Sequence, residues 1–130
     1  AGSNHDGGRL ATRWAGGDEA KARAALLMLL TLRGTPFLYY GDELGMRETV
    51  LGPQASKDPW GLNVEGLSRD GARTPMQWSP EPNAGFTDSD AVPWLPVSPT
   101  HDEINVTSEL ADEESLLNMY RRLIALRKTS

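Results

Sequence analysis

Ten residues near the start of the chain combine side chains that suit a polyol-binding or acid/base site. The stretch from Asn4 to Arg13 contains an imidazole beside a carboxylate, His5 and Asp6, followed by two glycines and two arginines. Because Asn, His, Asp and paired Gly favour turns, we expect a loop here. A titrating ring, an anion and planar cations in one loop suit proton transfer or hydrogen bonding to hydroxyl groups. The alternative is an Asx-type turn that only caps the following helix.

A second pair of carboxylates, Asp42 and Glu43, follows a short apolar run further along the chain. Adjacent residues that leave a strand point to opposite faces of the sheet. These two side chains are therefore not expected to converge on one bond as an acid and a nucleophile. We expect them to hold the surrounding rim loop together.

Two helices are predicted from capping residues and periodicity. The first spans residues 16–34, with Asp18 as its N-cap. Its apolar centre is suited to cover around most of its circumference, which few other segments of this chain can supply. Gly34 is placed to end it. The second spans residues 112–128, with Asp112 as its N-cap and an apolar stripe along one face. The stripe consists of Leu116, Met119, Tyr120, Leu123 and Ile124.

The segments between the helices complete an α/β pattern. Residues 35–41 form a short apolar and aromatic run that predicts a buried strand. Residues 42–111 are rich in Pro, Gly, Asp and Ser and predict one long loop, of a length that usually serves a site. With a strand-end loop over residues 1–15, this order is typical of a parallel α/β barrel. The loop around Asn4 would then lie at the C-terminal end of a strand, where barrel active sites are found.

Three tryptophans are spread through the predicted long loop, at Trp60, Trp78 and Trp94. Each is suited either to stack against a sugar ring or to form the small core of an irregular loop. We favour packing for all three, because Trp anchors irregular loops well.

Composition narrows the range of partners. The 130 residues carry a formal net charge of -5, which argues against a nucleic-acid partner. Cysteine is absent, so disulfides and thiolate metal sites are excluded and a reducing, cytoplasmic compartment is the expectation. The longest apolar run, from Ala24 to Leu30, is far shorter than the roughly 20 residues that span a bilayer, so no membrane partner is expected. No group of residues has metal-ligand spacing, and neither a metal nor a cofactor is expected.

Three motifs, Ser3–Asp6, Gly34–Met46 and Asp70–Trp78, follow one another along the chain. Together they resemble consecutive conserved segments of the α-amylase superfamily of glycoside hydrolases, and they occur in that family's order. The likeness extends over nearly the whole chain and points to the α-glucosidase and oligo-1,6-glucosidase branch. It implies the C-terminal portion of a (β/α)8 TIM barrel, with about two β/α units and a long strand-to-helix loop.

The resemblance also implies roles for individual side chains. Asp6 matches the family's third carboxylate, which grips the hydroxyls of the reacting sugar and favours its oxocarbenium-like form. His5 would hydrogen-bond the same sugar. Arg73 resembles the arginine with which exo-acting α-glucosidases hold the non-reducing end, since a planar fork of donors suits vicinal hydroxyls. Arg9 and Arg13 are further candidates for the same pocket.

In the family, the strands that carry the nucleophilic Asp and the acid/base Glu precede the Asn-His-Asp segment. Only Ala1, Gly2 and Ser3 precede it here. We therefore expect part of a retaining, exo-acting α-glucosidase for α-glucosidic oligosaccharides, inactive and incomplete as an isolated fold. The alternatives are part of a trehalose synthase, which isomerises maltose, or a non-catalytic binding or interaction module. Unpaired strand edges in a partial barrel favour self-association.

Overall fold

The computed structural model describes residues 2–64 and 66–129. Along this part of the chain, five α-helices alternate with irregular segments that contain four short 3-10 turns. The α-helices are α1 (Leu10–Arg13), α2 (Glu19–Thr31), α3 (Pro59–Asn63), α4 (Val106–Ala111) and α5 (Leu116–Thr129). The 3-10 turns are Asp42–Leu44, Asp70–Ala72, Pro82–Gly85 and Pro99–Asp102. Short helical segments therefore divide the predicted long loop. None of the helices in the described residues combines the length and the apolar character needed to cross a bilayer.

The two longest helices, α2 and α5, pack against each other around a shared apolar cluster. Its members are Leu26 and Leu30 of α2 with Leu116, Met119, Tyr120, Leu123 and Ile124 of α5. The apolar stripe predicted for α5 is therefore confirmed. Arg127, near the end of α5, donates to the carbonyl groups of Leu30 (2.6 Å), Leu32 (2.8 Å) and Gly34. Because the last carbonyls of a helix have no intrahelical partner, this guanidinium caps α2 and ties the two helices together.

Helix α2 starts as predicted but is covered on one face only. Asp18 Oδ1 accepts a hydrogen bond from the backbone N–H of Lys21 (3.1 Å), which confirms the predicted N-cap. The helix ends at Thr31, before the predicted limit at Gly34. The apolar centre of α2 is suited to cover on most sides, and the described residues supply cover on one face. Leu26 is 1% exposed, whereas its neighbour Leu27 is 44% exposed, because α5 packs along one face of α2 and α1 contacts its first turns.

The start of α5 differs from the prediction for a local reason. Asp112 was predicted as its N-cap, but the helix begins at Leu116 and the hydroxyl of Ser115 accepts from the N–H of Asn118 (3.1 Å). Asp112 instead follows the last residue of α4, and its Oδ1 accepts from the N–H of Glu114 (3.0 Å). Its side chain is therefore used in the turn that joins α4 to α5.

The strand predicted over residues 35–41 does not form in the described part of the chain. These residues have no strand assignment, and the β-pairing recorded is an isolated antiparallel bridge between Asn4 and Gly8. The predicted burial is also absent, since Phe37 is 69% exposed. A strand requires neighbouring backbone groups as hydrogen-bond partners, and the described residues place no second strand beside this segment.

Candidate functional site

The loop before α1 is shaped by the side chain of Asn4. Its Oδ1 accepts hydrogen bonds from the backbone N–H groups of Asp6 (2.8 Å) and Gly7 (2.5 Å), which makes an Asx-type turn. The turn does not cap α1, whose flanking residue has no side-chain cap. Gly8 closes the turn with φ of 75°, a conformation that glycine adopts without steric cost. The turn exposes the His5 and Asp6 side chains at its tip.

Asp6 is the meeting point of three side chains. His5 Nε2 lies 3.2 Å from its Oδ2. Arg69 Nη1 and Arg73 Nη2 lie 2.9 and 3.2 Å from its Oδ1. Arg73 also donates through Nε to the backbone carbonyl of His5 (3.0 Å). The Asp6 side chain remains 53% exposed, so the carboxylate is oriented by the protein and still accessible to a ligand.

Arg69 is a member of this cluster that the sequence analysis missed. It makes a bidentate pair with Asp58, through Nε to Oδ2 (2.7 Å) and Nη2 to Oδ1 (2.8 Å). Its guanidinium carbon lies 4.8 Å from the ring centre of Trp60. The Asp58 pair raises the pKa of the Arg69 guanidinium, and hydrogen bonds from Arg69 hold the pKa of Asp58 well below its usual range. The one feature of the sequence that could have indicated a role for Arg69 is its position four residues before Arg73.

Asp70 organises the backbone beneath the two arginines. Its Oδ2 accepts from the N–H groups of Lys57 (2.6 Å) and Asp58 (2.8 Å) and from the hydroxyl of Ser56 (3.3 Å). Its Oδ1 lies 3.8 Å from Nη1 of Arg73. Burial opposes ionisation of this carboxyl, but the N–H donors outweigh it and lower the pKa of Asp70. The loop over residues 56–58 and the 3-10 turn Asp70–Ala72, which Arg73 follows, are thereby joined.

The structure places Arg9 beneath the loop. The residue is fully buried, donates through Nη1 to the carbonyl of Tyr40 (2.7 Å), and lies 4.7 Å from the Tyr40 ring centre. Burial, with the neighbouring Tyr40, raises the pKa of Tyr39 to about 12, although the charge of Arg9 acts in the opposite direction. Arg13 is exposed and donates to the carbonyl of Gly7 (2.6 Å). Neither arginine contacts Asp6 in the described residues, and both support the loop that carries it.

The carboxylates at the rim have separate environments. Asp42 is buried and accepts from the hydroxyl of Ser3 at 2.5 and 2.6 Å and from the N–H of Tyr39 (3.2 Å). Burial raises the pKa of Asp42, and burial also raises the pKa of Glu43, which is partly exposed. Asp42 therefore anchors the residue immediately before Asn4, in line with the expected structural role.

Two cavities adjoin the cluster. One, of about 410 Å³, is bordered by Asp6, Glu48, Trp60 and Arg69. The other, of about 440 Å³, is lined by Arg73 with Tyr40, Trp78, Phe86 and Trp94. The sequence favours packing for these tryptophans, but Trp60, Trp78 and Trp94 are 61%, 49% and 69% exposed, so none of them is buried in the core of a loop. Aromatic faces beside a carboxylate and two guanidiniums suit a ligand with apolar faces and many hydroxyl groups.

The chemistry of the cluster is that of hydroxyl recognition and charge stabilisation. A carboxylate accepts hydrogen bonds and stabilises adjacent positive charge, while guanidinium forks donate to pairs of oxygens. Among residues 2–64 and 66–129, no three His, Asp or Glu side chains are grouped so that they could hold a metal ion.

Comparison with known proteins places these observations in a family. Residues 2–130 match the model of the alpha-amylase catalytic domain. A probable alpha-glucosidase of Rhizobium meliloti (strain 1021) is 41% identical over 98% of this chain and 24% of its own length. A probable oligo-1,6-glucosidase of Bacillus subtilis (strain 168) is 37% identical over 96% of this chain and 26% of its own length.

Solved structures agree with the sequence comparison. The crystal structure of the trehalulose synthase of Pseudomonas mesoacidophila MX-45 superimposes with a TM-score of 0.85 at 35% identity. The match covers 98% of this chain and 27% of that enzyme. The chain therefore spans about a quarter of the length of the proteins that it matches.

Proposed function

This chain belongs to the alpha-amylase catalytic-domain family, and on that basis we propose that it is part of a retaining, exo-acting α-glucosidase. The substrate would be an oligosaccharide with a terminal α-linked glucose. The residues of this chain would form the C-terminal portion of a (β/α)8 barrel, and the rest of the complete enzyme would supply the remainder. The names of the relatives, α-glucosidase and oligo-1,6-glucosidase, support this assignment.

The observation that carries the proposal is the set of three side chains around Asp6. Two guanidiniums hold Oδ1, and His5 lies beside Oδ2. In a glycosidase of this type the sugar ring flattens and gains positive charge at the anomeric carbon. A fixed carboxylate whose contacts with the ring hydroxyls tighten as the ring flattens lowers that barrier. We assign this role to Asp6, with His5 as a hydrogen-bond partner of the same sugar.

Arg73 is proposed to hold the non-reducing end of the sugar, and Arg69 to work beside it. Both guanidiniums lie within hydrogen-bond distance of Asp6, and Arg73 lines the neighbouring aromatic cavity. A planar fork that grips a terminal sugar leaves no room for a longer chain beyond it, so the enzyme would be exo-acting. Arg9 and Arg13 would serve the site by supporting the loop, through their contacts with Tyr40 and Gly7.

A retaining mechanism also requires a nucleophile and an acid/base whose carboxyl groups are roughly 5–5.5 Å apart. We assign both to residues outside this chain, so the 130-residue chain alone should not turn over substrate. The test is hydrolysis of p-nitrophenyl α-glucoside by the complete enzyme, with the anomer of the first product read by NMR. We expect α-glucose from the complete protein and no release from the isolated chain. A β-anomer first product, or turnover by the chain alone, would contradict the proposal.

An isomerising enzyme is the second candidate, because the superimposed structure is a trehalulose synthase. Such an enzyme would transfer the glucosyl group within one disaccharide in place of releasing it to water. Trehalose synthase, which isomerises maltose, is the form of this reaction that the sequence motifs also fit. Product analysis of the complete enzyme with maltose distinguishes the two, since hydrolysis gives glucose alone and isomerisation gives a second disaccharide.

A further inference from the structure

Asp58 is a buried carboxylate that accepts most of its hydrogen bonds from one residue of the proposed sugar site, Arg69. The Asp58 side chain has no solvent exposure. Oδ2 accepts from Nε (2.7 Å) and from the backbone N–H (2.9 Å) of Arg69, and Oδ1 accepts from Nη2 of Arg69 (2.8 Å). Charge-assisted bidentate pairs of this kind are strong and fix geometry as well as charge. Asp58 therefore determines where the Arg69 guanidinium lies.

This pairing leaves one nitrogen of Arg69 for Asp6. Nη1 donates to Asp6 Oδ1 at 2.9 Å, while the Trp60 ring covers the guanidinium with its centre 4.8 Å away. The pair with Asp58 prevents the Arg69 guanidinium from turning within its own plane, and the Trp60 indole packs against its face and restricts its tilt. Arg69 is thus held in both directions before a ligand arrives, which is the condition for a pre-organised site.

These contacts are not explained by a role in holding the loop over residues 56–58 in place, because the neighbouring carboxylate of Asp70 already fills that role. Asp70 accepts from the N–H groups of Lys57 (2.6 Å) and Asp58 (2.8 Å) without contacting Arg69. Asp58 also caps α3 through the N–H of Trp60 (3.3 Å), but an asparagine side chain fills that role equally well. The contact that needs a carboxylate is the pair with Arg69.

We propose that Asp58 is a positioning residue for the reaction, acting through Arg69 to hold Asp6 in its working orientation. The inference rests on the function proposed above for Asp6. Asp58 stays ionised over the working pH range, because Arg69 holds its pKa well below the usual value. The arrangement is therefore constant at neutral pH.

The test compares two variants of the complete enzyme that alter the same loop. Asp58→Asn keeps the size and the α3 cap but loses the charge, and we expect kcat to fall by about 10–100-fold with a smaller change in KM. Ser56→Ala is the matched control. It removes the hydroxyl contacts with Ser68 (3.0 Å) and Asp70 (3.3 Å) and touches neither Arg69 nor Asp6. We expect its kcat to stay within about twofold of the wild-type value.

A double-variant cycle tests whether Asp58 acts through Arg69. If it does, Asp58→Asn combined with Arg69→Gln loses no more activity than Arg69→Gln alone. A crystal structure of the Asp58→Asn enzyme gives a readout independent of activity, in which we expect the contact between Arg69 Nη1 and Asp6 Oδ1 to be lost. If Asp58→Asn does not fold, Arg69→Lys tests the pair from its other side, because it keeps the charge and lacks the fork.

Three results would overturn the inference. One is an equal loss of kcat in Asp58→Asn and Ser56→Ala. The second is a double variant in which the losses of kcat from Asp58→Asn and Arg69→Gln multiply. The third is an Arg69–Asp6 contact that is unchanged in the crystal structure of the Asp58→Asn enzyme. A wild-type enzyme without glucosidase activity would refute the proposed function instead. The variant structure would still decide whether Asp58 positions Arg69.

Discussion

At the scale of residues, Asp6 is distinguished by how far along the chain its partners lie. Arg69 and Arg73 are 63 and 67 residues away, and both donate to the same carboxylate oxygen. Two guanidiniums on one oxygen restrict rotation of the carboxylate, which is a pre-organised arrangement. The other oxygen keeps His5 at 3.2 Å. In the proposed reaction this geometry lets Asp6 meet the sugar without reorganising.

Arg73→Lys tests whether the fork of donors matters beyond its charge. Lysine keeps the positive charge but cannot reach both the His5 carbonyl and the Asp6 carboxylate. We expect kcat/KM of the complete enzyme for a terminal α-glucoside to fall by about 10–100-fold, since a hydrogen bond to a charged group is worth about 1.5–3 kcal/mol. Arg47→Lys is the control, because Arg47 donates to the carbonyl of Gly17 (2.9 Å) away from the cluster. Equal losses in the two variants would contradict the assignment.

The residues of the candidate site differ in how far the sequence could predict them. Asp6, His5 and Arg73 stand in motifs, and the prediction that they act together stays a prediction until ligand binding is measured. Arg69 was missed because its significance depends on Asp58, 11 residues upstream, and a single arginine in a loop carries no periodic signal. The burial of Arg9 depends on two tyrosines about 30 residues away and could not be predicted from its own neighbours.

At the scale of elements, the pair of α2 and α5 holds the described structure together. Both helices were predicted, because capping and apolar periodicity are local properties of the sequence. Which face of α2 is covered was not predictable, since that depends on the partner helix and not on α2 itself. Arg127 adds a contact between the helix ends that sequence periodicity does not reveal.

Leu26→Ala measures the contribution of this pair to stability. The side chain is 1% exposed in the cluster with α5, so its removal leaves a cavity as well as losing apolar burial. We expect a loss of about 2–5 kcal/mol in the free energy of unfolding, measured by urea denaturation of the chain at a dilution where it is monomeric. Leu27→Ala is the matched control on the same helix, where the side chain is 44% exposed and the expected loss is less than about 1 kcal/mol. A reversed order would show that the helix packs by another face.

Glu109 makes the junction of α4 and α5 dependent on pH. Its carboxylate accepts from the N–H of Leu117 (2.9 Å), and burial raises the pKa of Glu109 to about 7. The unfolded value is about 4.3, so between about pH 4.3 and 7 the folded state binds more protons and this group lowers stability as pH rises. The charges of Glu19 and Glu43 also raise the pKa of Glu109, and the charge of Arg23 lowers it.

Glu109→Gln removes that titration while keeping an acceptor for the N–H of Leu117. We expect the variant to be more stable than the wild type above about pH 7, by up to about 1 kcal/mol in the free energy of unfolding because the side chain is partly exposed, and therefore to melt at a higher temperature. The difference should shrink as pH falls to about 4.5. Thermal denaturation followed at several pH values measures it. A difference that does not vary with pH would contradict the account.

At the scale of the whole molecule, large apolar side chains remain exposed in the segment predicted as a strand and in the loop after it. They include Phe37, Leu38, Trp78, Phe86 and Trp94. The strand prediction relied on composition, but strand pairing is a non-local property, and the described residues include no second strand to pair with. The fold class predicted from sequence is therefore supported through the family, while the barrel itself remains part of the proposal.

Exposed apolar surface of this kind predicts that the isolated chain associates with itself. We expect size-exclusion chromatography with light scattering to give a mass above that of one chain, and the mass to fall on dilution. Phe37→Ser combined with Trp94→Ser should shift the distribution toward the monomer, since these are among the most exposed of the aromatic side chains. A monomer at all concentrations would contradict this expectation.

The central claim, that Asp6 grips the sugar most tightly as its ring gains charge, is tested most directly by differential binding to the complete enzyme. The affinities of glucose and of a cationic imino-sugar analogue of the flattened ring are measured by calorimetry for the wild type and for Asp6→Asn. We predict that Asp6→Asn lowers the affinity for the analogue by about 100-fold or more and the affinity for glucose by less than about tenfold. An equal loss for both ligands would contradict the claim.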